Sequence, residues 1–177
     1  MTNVLFFDLE TQRSLDEVGG RQNIRQLSMS VGVTLSSATG EFRDYREGDV
    51  QALIADLLAA DLVVGYNVLG FDYEVLRGYT SQPLERIPTV DMLQVVYARL
   101  GFRVSLDSVA GATLGAAKSA DGLQAIRWYR EGKIEELLAY CRQDVAITRQ
   151  VYEYGRAHGL VHYTDKFGRV RPIKVNW

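Results

Sequence analysis

The stretch NVLFFDLET, residues 3–11, decides the fold. Val4 to Phe7 is a run of β-branched, aromatic and aliphatic side chains, the composition of a central strand buried on both faces. The run ends on Asp8 and Glu10. Side chains at i and i+2 of a strand share a face, so two carboxylates leave the same side of an apolar strand. Burying ionised groups is costly unless they are paired or bind metal. The alternative is that the strand stops at Phe7 and both acids are solvated, the commoner fate of carboxylates.

Outward from this strand, residues 28–35 (SMSVGVTL) alternate apolar with small or polar residues and predict a second strand. The turn signal around Gly40 lets residues 41–46 pair back as a third, giving an antiparallel meander. The period then changes. Val50, Leu53, Ile54, Leu57 and Leu58 follow helical spacing over 49–60, with Asp49 as the expected N-cap. Residues 62–66 (LVVGY) predict a short buried strand, 71–79 a helix and 87–90 another short strand. Helices are expected over 91–100, 105–113, 121–130 and about 135–154. The last stretch, 160–177, reads as a β-hairpin turning at Lys166–Gly168. Strands first, then alternation of strands and helices, predict an α/β fold: a mixed sheet flanked by helices. A single domain is expected, with a core over 1–157 and the hairpin over 160–177.

The bulk numbers exclude several classes. The chain has 177 residues, 47% hydrophobic and 24% charged, which is ordinary for a globular domain. No apolar run is long enough to cross a bilayer. Met1 leads straight into the first strand without a basic and then apolar leader, so no secretory signal and a cytoplasmic location are expected. One cysteine excludes an internal disulfide and a CxxC-type zinc site. The net charge of −2 argues against gripping nucleic acid by bulk positive charge. The two histidines, His158 and His162, both lie near the C-terminus, which excludes a catalytic histidine earlier in the chain.

Two further acids stand out. Asp72 opens a helix after a glycine-containing turn, where a carboxylate is also favoured by the helix dipole alone. Asp144 lies mid-helix, four residues after Tyr140 and therefore on the same helical face. Read singly, Tyr140 is a core aromatic and Asp144 a solvated charge or a partner for Arg142 or Lys133. Taken together, a strand pair, a helix-start acid and a mid-helix acid can converge at the edge of one sheet. Clustered carboxylates call for cations, and hard oxygen ligands suit Mg²⁺ or Mn²⁺. Such ions would also reverse the local field where a phosphate would sit.

In FFDLET (6–11), Asn67-x-x-x-Phe71-Asp72 and Tyr140-x-x-x-Asp144, the sequence resembles the DEDD superfamily of 3′–5′ exonucleases, which have a ribonuclease H-like fold. The position that holds histidine in one branch is Ala139 here, and Tyr140 matches the tyrosine branch. Within that branch, SLDSVAGATLG…K…W…YCRQDV is more similar to the YprB-like ribonuclease H-like proteins than to polymerase proofreading domains.

The resemblance implies a two-metal-ion hydrolysis of phosphodiester bonds in DNA or RNA, with two Mg²⁺ or Mn²⁺ ions and release of nucleoside 5′-monophosphates from a 3′ end. It implies that Asp8, Glu10 and Asp144 hold one ion, and that Asp8 and Asp72 serve the second. Tyr140 would orient or deprotonate the attacking water, orientation being easier to defend for a group with an ordinary pKa near 10. Leu9 and Thr11 would contact the terminal nucleotide. Asn67 would hold the loop or touch substrate, with turn satisfaction an equal reading. Phe71 is expected in the core and Cys141 as a small buried residue. Lys166, Arg169, Arg171 and Lys174 make a basic hairpin, read as a solvated ribbon, with tracking of a nucleic-acid backbone as the alternative. The competing functions are a ribonuclease H-like endonuclease and a catalytically silent domain that binds nucleic acid or protein. The expected partner is a single-stranded 3′ end, with no membrane.

Overall fold

The structure is a computed structural model that describes residues 3–116 and 122–177. Its centre is strand β1 (Val4–Thr11). Strands β2 (Met29–Ser36) and β3 (Phe42–Arg46) add antiparallel on one side, while β4 (Leu62–Gly65) and β5 (Thr89–Asp91) add parallel on the other. The order is β3-β2-β1-β4-β5. This is the α/β mixed sheet expected of a ribonuclease H-like fold. Helices α1 (Val50–Ala59), α2 (Asp72–Leu76), α3 (Met92–Leu100), α4 (Leu106–Leu114), α5 (Gly122–Arg130) and α6 (Ile134–His158) complete the layers. Residue 121, the first of the expected fifth helix, lies outside the described residues. Among the described residues no helix is long and apolar enough to cross a membrane.

The period-2 alternation of β1 divides the core in two. Leu5, Phe7 and Leu9 face one side, with Leu53, Leu57, Tyr73 and Leu76 of α1 and α2. Phe6 faces the other, with Val31 and Val33 of β2 and Leu137, Cys141, Val145 and Tyr152 of α6. Phe6 and Phe7 are 2% and 0% exposed, so the strand is buried on both faces as its composition requires. Phe7 stacks on Tyr73 on one side, and Phe6 meets Tyr152 edge-to-face on the other.

Three expectations need correction. Asp49 does not cap α1 with its side chain; its Oδ2 accepts the Arg46 N–H at 3.1 Å, closing a 3₁₀ turn over Glu47–Asp49 that leads into the helix. The helix expected over 71–79 is only α2, five residues long. Gly78 lies against the Arg25 carbonyl, where an added Cβ would sit 2.5 Å from the oxygen, so the chain leaves the helix in close backbone contact. The last helix runs to His158 and ends at Gly159 in the left-handed conformation (φ 67°). The C-terminal hairpin is present as β6 (Leu160–Thr164) and β7 (Val170–Lys174). It is built into the fold: Val161, Ile173 and Val175 belong to the α6-side core.

Candidate active site

Asp8 and Glu10 continue the Phe6 face of β1, so they point toward α6. There Asp144 meets them. One carboxylate oxygen from each of Asp8, Glu10 and Asp144 lies within 4.8 Å of the other two. All three residues are half-buried. The strand therefore does not end at Phe7 with solvated acids; it runs through both of them and bulges only between Glu10 and Thr11.

The two cations that the sequence offers Asp144 hold other partners. Arg142 is engaged by Asp44 of β3, with Nε 2.8 Å from Oδ1. Lys133 pairs with Glu131 at 2.6 Å. Burial raises the Asp8 carboxyl well above the ordinary carboxylate range, and the negative charges of Asp72, Glu10 and Asp144 raise it further. Burial, then Asp144 and Asp72, raise Glu10 in the same way. The cluster is an electrostatic expense that a divalent cation would relieve, and its all-oxygen donor set fits Mg²⁺ or Mn²⁺.

Asp72 stands beside this set rather than in it. It is 3% exposed, and its Oδ1 accepts the Leu9 N–H at 3.1 Å. The β1–β4 ladder stops at Phe6 opposite Val64, so beyond that point the edge of β1 lacks a strand neighbour. The carboxylate supplies the missing acceptor. Burial pushes the Asp72 pKa up to about 7, partly offset by the backbone N–H groups of Asp72 and Leu9.

Tyr140 donates its hydroxyl hydrogen bond to Asp144, joining the two ends of the i, i+4 pair. Its ring meets Trp128 of α5 edge-to-face at 6.0 Å. Burial, followed by Glu10, Asp144 and Asp8, raises the phenol above its ordinary value, so it stays a neutral hydroxyl. Cys141 is fully buried, and its thiol lies 3.6 Å from Asp8 Oδ2, forming the floor under that carboxylate.

The remaining sequence candidates fall out differently. The Leu9 side chain is 4% exposed in the opposite core, which leaves its side chain a packing role. Thr11 is 7% exposed and its Oγ1 donates to the Arg13 carbonyl at 2.9 Å. Thr11, Glu10, Phe71 and Leu123 line an open cleft of about 480 Å³ next to the acids. Phe71 is half-buried: it packs against the α1–α2 core, as expected, and also lines this cleft.

Asn67 adopts the left-handed conformation (φ 70°), which Asn tolerates better than most residues. Its Oδ1 accepts a hydrogen bond from Arg103 at 2.8 Å.

Asp91, which the sequence did not single out, organises this turn. It is 4% exposed and accepts the N–H groups of Asn67 (2.8 Å), Leu69 (3.0 Å) and Leu93 (3.0 Å). One carboxylate at the end of β5 thereby caps α3 and fixes the loop that delivers Asp72. Its only sequence signal is an acid between a strand and a helix, which reads as an ordinary N-cap.

No curated protein matches the chain. A sequence model of the RNase H superfamily, RNase_H_2, matches residues 5–155, from β1 to the last turns of α6. Together with the acidic triad, that match supports a nuclease that takes nucleic acid as substrate. The chain, whose sheet, helix order and converging acids are those described above, belongs to the RNase H superfamily.

Proposed function

We propose that the protein is a metal-dependent 3′–5′ exonuclease of the tyrosine branch, releasing nucleoside 5′-monophosphates from DNA or RNA strands. The observation that carries the reading is the Tyr140 hydroxyl hydrogen-bonded to Asp144 at the rim of the Asp8, Glu10 and Asp144 cluster. An endonuclease built on the same metals needs no such hydroxyl.

Asp8, Glu10 and Asp144 would hold one divalent ion, and Asp8 with Asp72 would serve a second. Bound there, Mg²⁺ or Mn²⁺ would make water more acidic and stabilise both the attacking and the leaving oxygen of the displacement. The chain's own groups supply position. Tyr140 commits its proton to Asp144 and can present its oxygen as acceptor to the attacking water, holding it in line. A neutral phenol does this by orientation and not as a base. Cys141 closes the floor under Asp8, and Asp91 holds the loop from which Asp72 reaches β1. The cleft between Thr11, Phe71 and Leu123 would take the terminal nucleoside, with apolar walls for a base.

The test uses 5′-labelled single-stranded DNA and RNA with Mg²⁺, Mn²⁺ or EDTA. A ladder of products shortened from the 3′ end, absent with EDTA and absent in Asp144→Asn, is the expected result. Cutting of a circular single strand would replace the exonuclease with an endonuclease. Wild-type hydrolysis by Asp144→Asn would remove the metal-dependent reading altogether.

A further inference from the structure

The side of the molecule reached through Arg103 carries features that the acidic cluster does not use. A cavity of about 660 Å³ opens between the loop before α4 and the β6–β7 hairpin, lined among others by Phe102, Arg103, Ser105, Tyr163, Lys166 and Phe167. Its aromatic rings are held in water: Phe167 is 70% exposed and Phe102 48%. Large rings are normally buried, so their exposure on one groove asks for a ligand with a flat face. A second depression of about 400 Å³, lined by Asn67, Gly70, Asp91, Tyr97 and Arg103, adjoins it through Arg103. Tyr97 there is 50% exposed.

The charges match the rings. Lys166 Nζ lies 5.1 Å and the Arg169 guanidinium 5.6 Å from the Phe167 ring centroid. The carboxylate in the groove, Asp165, is spent on the turn itself. It accepts the Phe167 N–H at 2.9 Å, the Arg169 N–H at 3.0 Å and Arg171 Nε at 3.0 Å. Those bonds, with Gly168 in the left-handed conformation (φ 75°), fix the tip that presents Phe167. The ring is therefore preorganised, and binding would not have to order it. Among the described residues, neither Lys166, Arg169 nor Arg103 forms a salt bridge with a carboxylate. Arg103 instead ties the groove to Asn67, five residues before Asp72.

We propose that this groove binds the unpaired strand upstream of its 3′ end, with bases stacked on Phe167 and Phe102 and phosphates on Lys166, Arg169 and Arg103. Exposed rings interleaved with cations that no carboxylate neutralises are the physical requirements for holding a single strand without reading its sequence. A duplex keeps its base faces covered and has no use for Phe167. The groove makes the hairpin a recognition element instead of a solvated ribbon. This inference rests on the nuclease reading for its orientation, and its test separates the two.

Binding of a fluorescein-labelled oligothymidylate to the full chain is measured by anisotropy in EDTA, where no hydrolysis intervenes. Phe167→Ala is expected to weaken binding about tenfold, the scale of one lost base-stacking contact. Lys166→Glu and Arg169→Glu are each expected to weaken it and to reduce the salt dependence by about one phosphate contact. In the hydrolysis assay, Phe167→Ala should lower the preference for a long strand over a dinucleotide about tenfold. Phe167 is exposed at a turn, so folding is not at stake, and thermal melts check it. Wild-type affinity in Phe167→Ala and in Lys166→Glu would overturn the proposal, as would equal losses for duplex and single strand. Binding by the groove in a protein without hydrolysis would leave the groove standing and remove the exonuclease.

Discussion

Replacing Glu10 by Gln removes one charge from the cluster and keeps its shape. Oxygens of Asp8, Glu10 and Asp144 lie within 4.8 Å of one another. Two full charges at that distance repel by about 3.5 kcal/mol at an effective dielectric constant of ~20. Part of this is relieved because burial and mutual repulsion keep protons on Asp8 and Glu10 at higher pH than usual. The realised gain from Glu10→Gln in metal-free protein at pH ~8 is therefore about 1–3 kcal/mol. For a chain of this size that raises Tm by roughly 2–10 °C. With Mn²⁺ the variant's advantage should shrink or reverse. Wild type gains about 2.7 kcal/mol at a concentration a hundredfold above its dissociation constant, while the variant, short of one ligand, gains less. The assay is thermal denaturation of both proteins at one pH, in EDTA and across a Mn²⁺ titration. If Glu10→Gln lowers Tm equally in EDTA and in Mn²⁺, the acids are neither in mutual repulsion nor jointly holding a cation.

Other outcomes follow from the same geometry. Asp72 titrates at about 7 in the fold, against about 3.9 in an unfolded chain. The folded state binds the extra proton between those values, so this contribution is complete below pH ~4 and is lost as pH rises through ~7. Denaturant midpoints in EDTA should fall from pH ~5 to ~8, and the stabilisation by Mn²⁺ should grow over the same range. Tyr140→Phe keeps the contact with Trp128 and loses only the hydroxyl. Hydrolysis should drop about 10²-fold, while Tm moves by no more than the loss of one hydrogen bond. Gly155→Ala would put a Cβ 2.4 Å from the Trp177 ring, which rests on that helix position and donates to the Tyr152 carbonyl. The indole must leave its stack on Tyr152, seen as a red shift of tryptophan emission and a loss of about 1–3 kcal/mol.

What could be read beforehand was whatever is local. Strand alternation put Asp8 and Glu10 on one face, and helical spacing put Tyr140 over Asp144, because each rule spans only a few residues. Which acids converge is a tertiary matter. Asp144 reaches Asp8 and Glu10 only because α6 packs along the Phe6 face of β1. Asp72 arrives from the end of β4 and finds the Leu9 N–H first. Leu9 and Thr11 enter only through likeness of motif. The pleat turns Leu9 to the opposite core, whereas Thr11 donates to a nearby carbonyl and lines the cleft beside the acids. Asp91 was missed because its work, holding the 67–69 turn from 22 to 24 residues away, leaves no periodic trace. Arg103 meets Asn67 across 36 residues for the same reason.

The contact between Cys141 and Asp8 closes 133 residues of chain. β1 is complete near the start of the sequence, but its acids acquire their partner only when α6 docks. Contacts of such long sequence separation come late in folding, because the chain entropy of closing the loop must be met first. A cation is therefore expected to find its three converging oxygens once α6 has docked, and not before. It should leave the folding rate nearly unchanged and slow unfolding, so that the ion would act on this molecule as a latch and not as a template.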